Sequence, residues 1–252
     1  MAATIYRDQE GQRLPSVTTV IGRFKDSGGL VRWAHQRGRD GLDLDARDKA
    51  IDAGALAREM VIAHLHGRRW QLAMRVKAML LDKAKVGFNA YLAWERMYRP
   101  TIRHIEVPLA SAQYRYGGTL DAIGVFAGKL ALLDWKASNA VYQDHLIELA
   151  AYKRLWDETH PDHPITGGFH LCRFSKENGD FTHRFYPKLD AAWTQFRLFR
   201  RAYAIDAQLK KRAAADVAQP PASKRKATNA VTGVPKAIKH RPTLRPIRAV
   251  TG

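Results

Sequence analysis

The sequence contains a single cysteine, Cys172, among its 252 residues. One thiol cannot form an internal disulfide, a four-cysteine zinc site or a cysteine-ligated iron–sulfur cluster. The phosphate-binding motif Gly-x-x-x-x-Gly-Lys-Ser/Thr is also missing, so we expect this chain to use no ATP. The lack of cysteine pairs predicts a reducing, intracellular location.

Long hydrophobic runs are missing as well. No apolar stretch approaches the roughly 20 residues that a membrane-spanning helix needs. The first residues, MAATIYRDQEGQ, do not contain the apolar segment of a secretion signal. We therefore expect neither membrane insertion nor secretion.

Acidic residues are scarce relative to basic ones. The chain has 24 Asp and Glu against 42 Lys and Arg, which gives a formal net charge of +18. Such an excess attracts a polyanion, and the attraction weakens with added salt. Nucleic acid is the first candidate partner, and an acidic membrane surface is the second.

Residues 213–252 differ in composition from the rest of the chain. This segment has eight Lys or Arg, one acid and no aromatic residue. Because it cannot bury enough apolar surface to fold, we predict a disordered basic tail. Two roles remain open for it: solubility, or an arm that grips nucleic acid through residues such as Lys224, Arg225 and Lys226.

The hydrophobic pattern of the remaining chain changes its period near residue 100. Helical spacing predominates in 1–99, and strands, further helices and a closing helix follow in 100–212. The predicted elements include helices from about 19, at 28–43, at 46–66 and at 70–98, strands at 102–111, 119–126 and 129–138, a helix at 142–159, a hairpin within 165–187 and a helix at 188–212. The order predicts one α/β domain over 1–212, with a mixed central sheet flanked by helices.

Two acids and a lysine fall within the predicted central hairpin. A two-residue turn at Ala127-Gly128 places Asp121 directly opposite Asp134, with Lys136 on the same face. A three-residue loop would turn one strand over and separate them. The two-residue register therefore predicts a cluster of two carboxylates and one ammonium.

Opposed carboxylates among apolar residues repel each other, so a positive charge has to accompany them. A divalent cation that prefers oxygen ligands, Mg²⁺ or Mn²⁺, would satisfy both acids. The alternatives are a plain Asp–Lys salt bridge and a solvated polar strip. With a metal, the site would hydrolyse a phosphodiester, and Lys136 would stabilise charge on the phosphoryl oxygens.

Three motifs in this order resemble those of the PD-(D/E)XK nuclease superfamily: GGTLD at 117–121, DWK at 134–136 and ELAAY at 148–152. More narrowly, the sequence is similar to RecB-like and CRISPR-associated-type exonucleases, many of which come from phages. The resemblance covers about residues 14–200. It implies a restriction-endonuclease-like core with a helical N-terminal part.

The resemblance also implies roles for residues that match the motifs. Asp121 and Asp134 would ligate the metal together with the backbone carbonyl of Trp135. Lys136 would be the catalytic lysine. The helix motif, Glu148 and Tyr152, would face the site and support it.

Two positions depart from the family pattern. Glu148 stands where glutamine is usual, and Arg58 stands where the family often has a metal-binding histidine. Arg58 would instead bind a phosphate, or the site would hold one metal weakly. Glu106, on the strand before the hairpin, either supports the site or forms a salt bridge at its rim.

The resemblance implies a Mg²⁺- or Mn²⁺-dependent DNA exonuclease of recombination, repair or end processing, in the cytoplasm of a bacterial host cell. A single-strand annealing or recombination protein is an expected partner. The alternative is a degenerate, non-cutting DNA-binding protein, because of Arg58. Arg115 and Tyr116 are candidate DNA contacts, Tyr116 by stacking on an unpaired base, unless they only close the hairpin.

Overall fold

A computed structural model describes residues 4–24, 39, 52–71 and 77–218. The chain divides into two units, Met1–Leu209 and Lys210–Gly252. The first contains the sheet and the candidate site; of the second, the structure describes the end of one helix. Lys224, Arg225 and Lys226 lie outside the described residues, as does most of the predicted basic tail.

The described part of the chain forms five longer helices and seven strands. They are β1 (Tyr6–Arg7), β2 (Arg13–Leu14), α1 (Val17–Phe24), α2 (Ala53–Leu65), α3 (Ala78–Tyr98), β3 (Thr101–Ser111), β4 (Tyr116–Phe126), β5 (Lys129–Ala137), α4 (Gln143–Thr159), β6 (Phe169–Phe174), β7 (Phe181–Tyr186) and α5 (Asp190–Ala218). None of the described helices is both long enough and apolar enough to cross a membrane.

The central sheet has five strands in the order β3-β4-β5-β6-β7. The β5–β6 pair is parallel, and the three other pairs are antiparallel. The crossover between the parallel strands is made by α4, as parallel pairing requires. The predicted fold class, a mixed sheet flanked by helices in the manner of a restriction-endonuclease-like core, is confirmed.

Each face of the sheet buries its own core. On one face, apolar residues of α1, α4 and α5 pack against the sheet, with Leu132 and Leu171 at its centre. On the other face, α2 and α3 pack against Leu133 and Trp135. Alternation along β5 produces both cores, since Leu132 and Leu133 point to opposite sides. The charged residues of β5 therefore have to be accommodated between two apolar layers.

Helix α2 begins at a capped end and packs very closely on the sheet. The Asp52 carboxylate accepts a hydrogen bond from the Ala55 N–H at 2.8 Å, which satisfies one of the free donors of the first turn. A methyl group at Gly54 would lie 2.8 Å from the carbonyl oxygen of Phe174. This close approach fixes the position of α2, which carries Arg58.

The central hairpin has the register that the two-residue turn predicts. Ala122 is paired with Leu133 and Phe126 with Lys129. Ala127 and Gly128 have φ values of 45° and 79°, and positive φ at both turn positions is the mark of a type I′ hairpin turn. The turn chemistry thus sets the alignment of the two acidic strands.

Element boundaries differ from the sequence prediction in two informative places. Strand β4 begins at Tyr116, although the glycines that follow predicted a turn. Gly117 and Gly118 lie within the strand, and glycine is needed there because the side chains of Tyr6 and Tyr152 occupy the space where a Cβ atom would be. Helix α5 continues past residue 212 to Ala218.

Candidate active site

The two aspartates lie where strands β4 and β5 separate. The β4–β5 pairing ends at Ala122 and Leu133, so Asp121 and Asp134 are the next residues on each strand. Beyond this point β4 remains paired with β3 and β5 remains paired with β6. The separation creates an opening at the end of the hairpin in which both acids stand.

Asp134 is buried, with 1% of its surface exposed. Its Oδ1 accepts a hydrogen bond from Lys136 Nζ at 3.0 Å. Its Oδ2 is buried and has no hydrogen-bond partner among the described residues. Burial raises the pKa of Asp134 to about 7; Lys136 opposes this rise, and the negative charge of Asp121 adds to it. The site therefore contains an acceptor oxygen that nothing in the described chain satisfies.

Asp121 uses both of its oxygens. Oδ2 accepts the backbone N–H of Trp135 at 2.8 Å, and Oδ1 accepts Nη2 of Arg58 at 2.6 Å. The guanidinium reaches the strand from α2, on the opposite side of the sheet from α4. At position 58, where the resemblance implied a histidine, the positive charge of Arg58 therefore lies beside Asp121.

Lys136 lies between two carboxylates. Its Nζ is 3.0 Å from Asp134 Oδ1 and 2.8 Å from Glu148 Oε2. Burial alone would lower the pKa of Lys136, but Asp134, Glu148 and Asp121 together raise it. Burial alone would raise the pKa of Glu148, but Lys136 lowers it. Both groups are therefore held in their charged forms, as a hydrogen-bonded ion pair.

Tyr152 completes a line of contacts that starts at Asp134. Its hydroxyl donates a hydrogen bond to Glu148 Oε1 at 2.7 Å, one helical turn away on α4. The ring packs against Gly118, where an added methyl carbon would lie 2.6 Å from the Tyr152 Cε1 atom. Gly118 thus fixes Tyr152, Tyr152 fixes Glu148, and Glu148 fixes the ammonium of Lys136.

Replacing Gly118 by alanine tests this line of contacts. We expect Gly118→Ala to lower the free energy of unfolding by about 1–3 kcal/mol, because the buried ring cannot make room without strain. Urea denaturation measures the change. The matched control is Gly22→Ala in α1, where an added methyl meets nothing within 4 Å and alanine is favoured by about 1 kcal/mol. If Gly118→Ala were as stable as wild type, Gly118 would not be needed to hold the ring of Tyr152 in place.

Glu106 lies at the rim of the site. It has an unusual positive φ of 52° within β3, and its carboxylate is 3.8 Å from His66 Nε2. Its negative charge also acts on Arg58. Glu106 is thus close enough to contribute negative charge to the site, and its carboxylate also lies near His66 at the rim.

Arg115 and Tyr116, which the sequence predicted to contact DNA, lie away from the site. Tyr116 is fully buried, its ring packs on Phe196 and its hydroxyl donates to the carbonyl of Ala151, so it offers no face to a base. Arg115 forms a 2.8 Å ion pair with Asp8 of the N-terminal hairpin. The structure does not bring either residue together with Asp121 and Asp134.

The residues present suit a divalent cation in their chemistry. Asp121 and Asp134 supply carboxylate oxygens, and the unsatisfied Oδ2 of Asp134 is a ready ligand atom for a hard ion. Within the described ranges, no group of three or more His, Cys, Asp or Glu side chains is arranged around a common metal position. Among the described side chains, Asp121 and Asp134 are therefore the candidate metal ligands.

Sequence reasoning missed two features of the site. It did not anticipate that Arg58 pairs with Asp121, because the two are 63 residues apart and nothing in either motif signals the contact. It also missed the role of Gly118. A signal for that role was present: two adjacent glycines inside an apolar strand indicate a close approach by another part of the chain.

Comparison with known proteins finds only distant structural similarities. No protein-family model matches the chain, and no curated protein matches it. Among solved structures, a candidate exonuclease from Eubacterium rectale aligns with a TM-score of 0.41 and 11% identity; the alignment covers 60% of this chain and 65% of that protein. The alkaline exonuclease LHK-Exo of Laribacter hongkongensis aligns with a TM-score of 0.34 and 12% identity, over 67% of this chain and 94% of that one.

A second structure of LHK-Exo, in complex with dAMP, gives a TM-score of 0.37 and 13% identity, over 69% of this chain and 91% of that one. These identities are too low to carry an activity from those proteins to this chain. What the candidate site does has to be argued from its own residues.

Proposed function

We propose that the protein is a metal-dependent nuclease that hydrolyses phosphodiester bonds in DNA. One observation supports this above all: Asp134 keeps a buried, unpartnered oxygen beside the ammonium of Lys136 and close to Asp121. A buried acid of this kind is costly unless a cation accompanies it. The net charge of +18 supports nucleic acid as the substrate.

The chain's own residues supply orientation and one hydrogen-bond donor. The ammonium of Lys136 has three N–H donors, and Asp134 and Glu148 accept two of them. No described residue accepts the third, which would donate to a phosphoryl oxygen as negative charge develops there. Tyr152 holds Glu148 and thereby keeps the ammonium aimed in that direction.

Asp121 and Asp134 would hold Mg²⁺ or Mn²⁺, with the backbone carbonyl of Trp135 as the third ligand that the resemblance implies. When bound, the ion supplies an activated water and withdraws charge from the phosphate. Hydrolysis forms a bond from the water oxygen to phosphorus and breaks a phosphorus–oxygen bond to the sugar. Burial of Asp134 keeps bulk solvent away from its free oxygen.

The resemblance to RecB-like enzymes supports exonucleolytic action in recombination, repair or end processing, in the cytoplasm of a bacterial host. It also supports a recombination or single-strand annealing protein as partner. Exonucleolytic action is tested with two DNA substrates of one sequence, one linear and end-labelled and one covalently closed and circular, each incubated with Mg²⁺ or Mn²⁺. An exonuclease degrades the linear form and leaves the circle intact. Cutting of the circle would show an endonuclease.

A second function is favoured by a specific contact. The Arg58–Asp121 ion pair occupies an oxygen that a metal ligand needs, so the fold could serve as a DNA-binding scaffold that does not cut. Gel-shift and digestion assays on one sample distinguish the two functions. A scaffold binds DNA and leaves it intact at every concentration of Mg²⁺ and Mn²⁺ tested.

The basic C-terminal segment gives a prediction about binding. Residues 219–252 follow the last described residue of α5 and contain eight Lys or Arg and no acid. Removing them is expected to weaken DNA binding. The slope of log K against log salt should also fall by about 0.9 for each phosphate that the protein no longer neutralises. Fluorescence anisotropy at several salt concentrations measures both quantities.

The melting temperature serves as the control for this truncation, and it should not change. Lys224, Arg225 and Lys226 replaced together by glutamine should give part of the same effect. A truncated protein with an unaltered salt slope would rule out a DNA-gripping role for the segment.

A further inference from the structure

The guanidinium of Arg58 is only partly used by the folded chain. Its Nη2 donates to Asp121 Oδ1 at 2.6 Å, and within the described residues this is its one hydrogen bond. A guanidinium has five N–H donors in a planar fork that matches carboxylate and phosphate oxygens. About a third of the side chain, 31%, is exposed. Arg58 therefore has donors and access for a second anion.

The charges around Arg58 do not balance. Asp121, Asp134 and Glu106 act on it directly, and the neighbouring Lys136 is paired with Glu148. When Asp134 is ionised and His66, beside Glu106, is neutral, these four carboxylates outnumber Arg58 and Lys136 by two negative charges. A phosphodiester carries one more negative charge and is repelled. A divalent cation cancels the excess and makes phosphate binding favourable.

We infer that Arg58 is an exchangeable partner of Asp121 that couples cation binding to DNA binding. While the site lacks a divalent cation, Arg58 neutralises Asp121. When a cation takes the Asp121 oxygens, Arg58 is released and its fork binds the DNA phosphate. The inference rests on the proposed metal-dependent nuclease function and adds a residue that sets the order in which the site fills.

Exchange of this kind has a measurable consequence. Each ligand removes a competitor of the other: the cation frees Arg58 for phosphate, and phosphate draws Arg58 away from Asp121. Coupling between two ligands is reciprocal and typically amounts to about 5- to 150-fold in affinity. Manganese should therefore bind more tightly in the presence of a nucleotide, even when no bond is available to be cut.

Calorimetric titration with Mn²⁺, with and without thymidine 5′-monophosphate, measures the coupling. The mononucleotide offers a phosphate and contains no phosphodiester. In wild type it should increase the Mn²⁺ affinity by about 5-fold or more. In Arg58→Met, Mn²⁺ alone should bind at least about 5-fold tighter than to wild type, because a competing positive charge is gone, and the nucleotide should add less than about 2-fold. Arg184→Met, an exposed site on β7, is the control.

The outcomes separate this inference from the function on which it rests. If wild type binds Mn²⁺ and Asp134→Asn does not, but Arg58→Met behaves as wild type, the coupling role is excluded and the metal site stands. If wild type binds no Mn²⁺, both are excluded. Should Arg58→Met fold poorly, Arg58→Lys is expected to show intermediate coupling. The wild-type protein alone also provides a test: if thymidine 5′-monophosphate leaves its Mn²⁺ affinity unchanged, the coupling role of Arg58 is excluded.

Discussion

Asp134→Asn is expected to reduce Mn²⁺-dependent digestion of linear DNA by about 10³-fold or more, and to leave the protein at least as stable as wild type. Charge stabilisation by a bound metal is worth several kcal/mol, and each 1.36 kcal/mol is a factor of ten in rate. The stability expectation has a separate cause. Asparagine is neutral, so burying it costs less than burying a carboxylate with an unsatisfied oxygen. Lys136 keeps its contact with Glu148.

Two measurements on the same preparation check this result. Release of labelled nucleotides gives the rate, and thermal denaturation without metal gives the melting temperature. Asp162→Asn makes the same chemical change at an exposed loop position and should behave as wild type in both. If Asp134→Asn digests DNA at a comparable rate, the proposed metal ligand is misassigned.

Lys136→Met is expected to lower the cleavage rate by about 10²- to 10³-fold, the usual effect of removing one preorganised donor, while DNA binding is retained. It should also destabilise the fold by about 3–5 kcal/mol. The reason is that Asp134 and Glu148 are left buried without their shared cation, and breaking a buried pair has a cost of this size. Anisotropy, single-turnover cleavage and urea denaturation measure the three effects.

A double variant separates the catalytic role of Lys136 from its structural one. In Lys136→Met/Glu148→Gln the missing positive charge is balanced by a missing negative charge, and glutamine can still accept the hydrogen bond from Tyr152. Most of the stability should return, whereas cleavage should not. Recovery of cleavage together with stability would show that Lys136 is needed only for folding. Lys129→Met, at the exposed hairpin turn, is the surface control.

Local patterns were enough to predict the central hairpin. A two-residue turn at Ala127-Gly128, as the structure has it, sets a register that brings Asp121 and Asp134 to the same end of the strands. The apolar surroundings of Asp134 were also informative, since an acid between Leu133 and Trp135 in a central strand is expected to be buried. The register of the hairpin and the burial of Asp134 both depend on residues close together in the sequence, so local patterns can predict them.

Contacts between distant segments were not predictable in the same way. Arg58 reaches Asp121 because α2 lies close on the sheet, and that closeness depends on Gly54 meeting β6. Tyr116 looked like a loop aromatic, yet it is in the core because β4 extends back through two glycines. Each outcome depends on how whole elements pack, which no single motif contains.

The unusual backbone of Glu106 has a consequence for how the protein behaves at high concentration. Strand β3 is eleven residues long and forms one edge of the sheet. A long, regular edge is a template onto which strands of other molecules add. The left-handed residue at Glu106, Pro108 and the irregular register near Ile102 interrupt this edge. The distortion beside the acidic cluster thereby also protects the sheet against aggregation through β3.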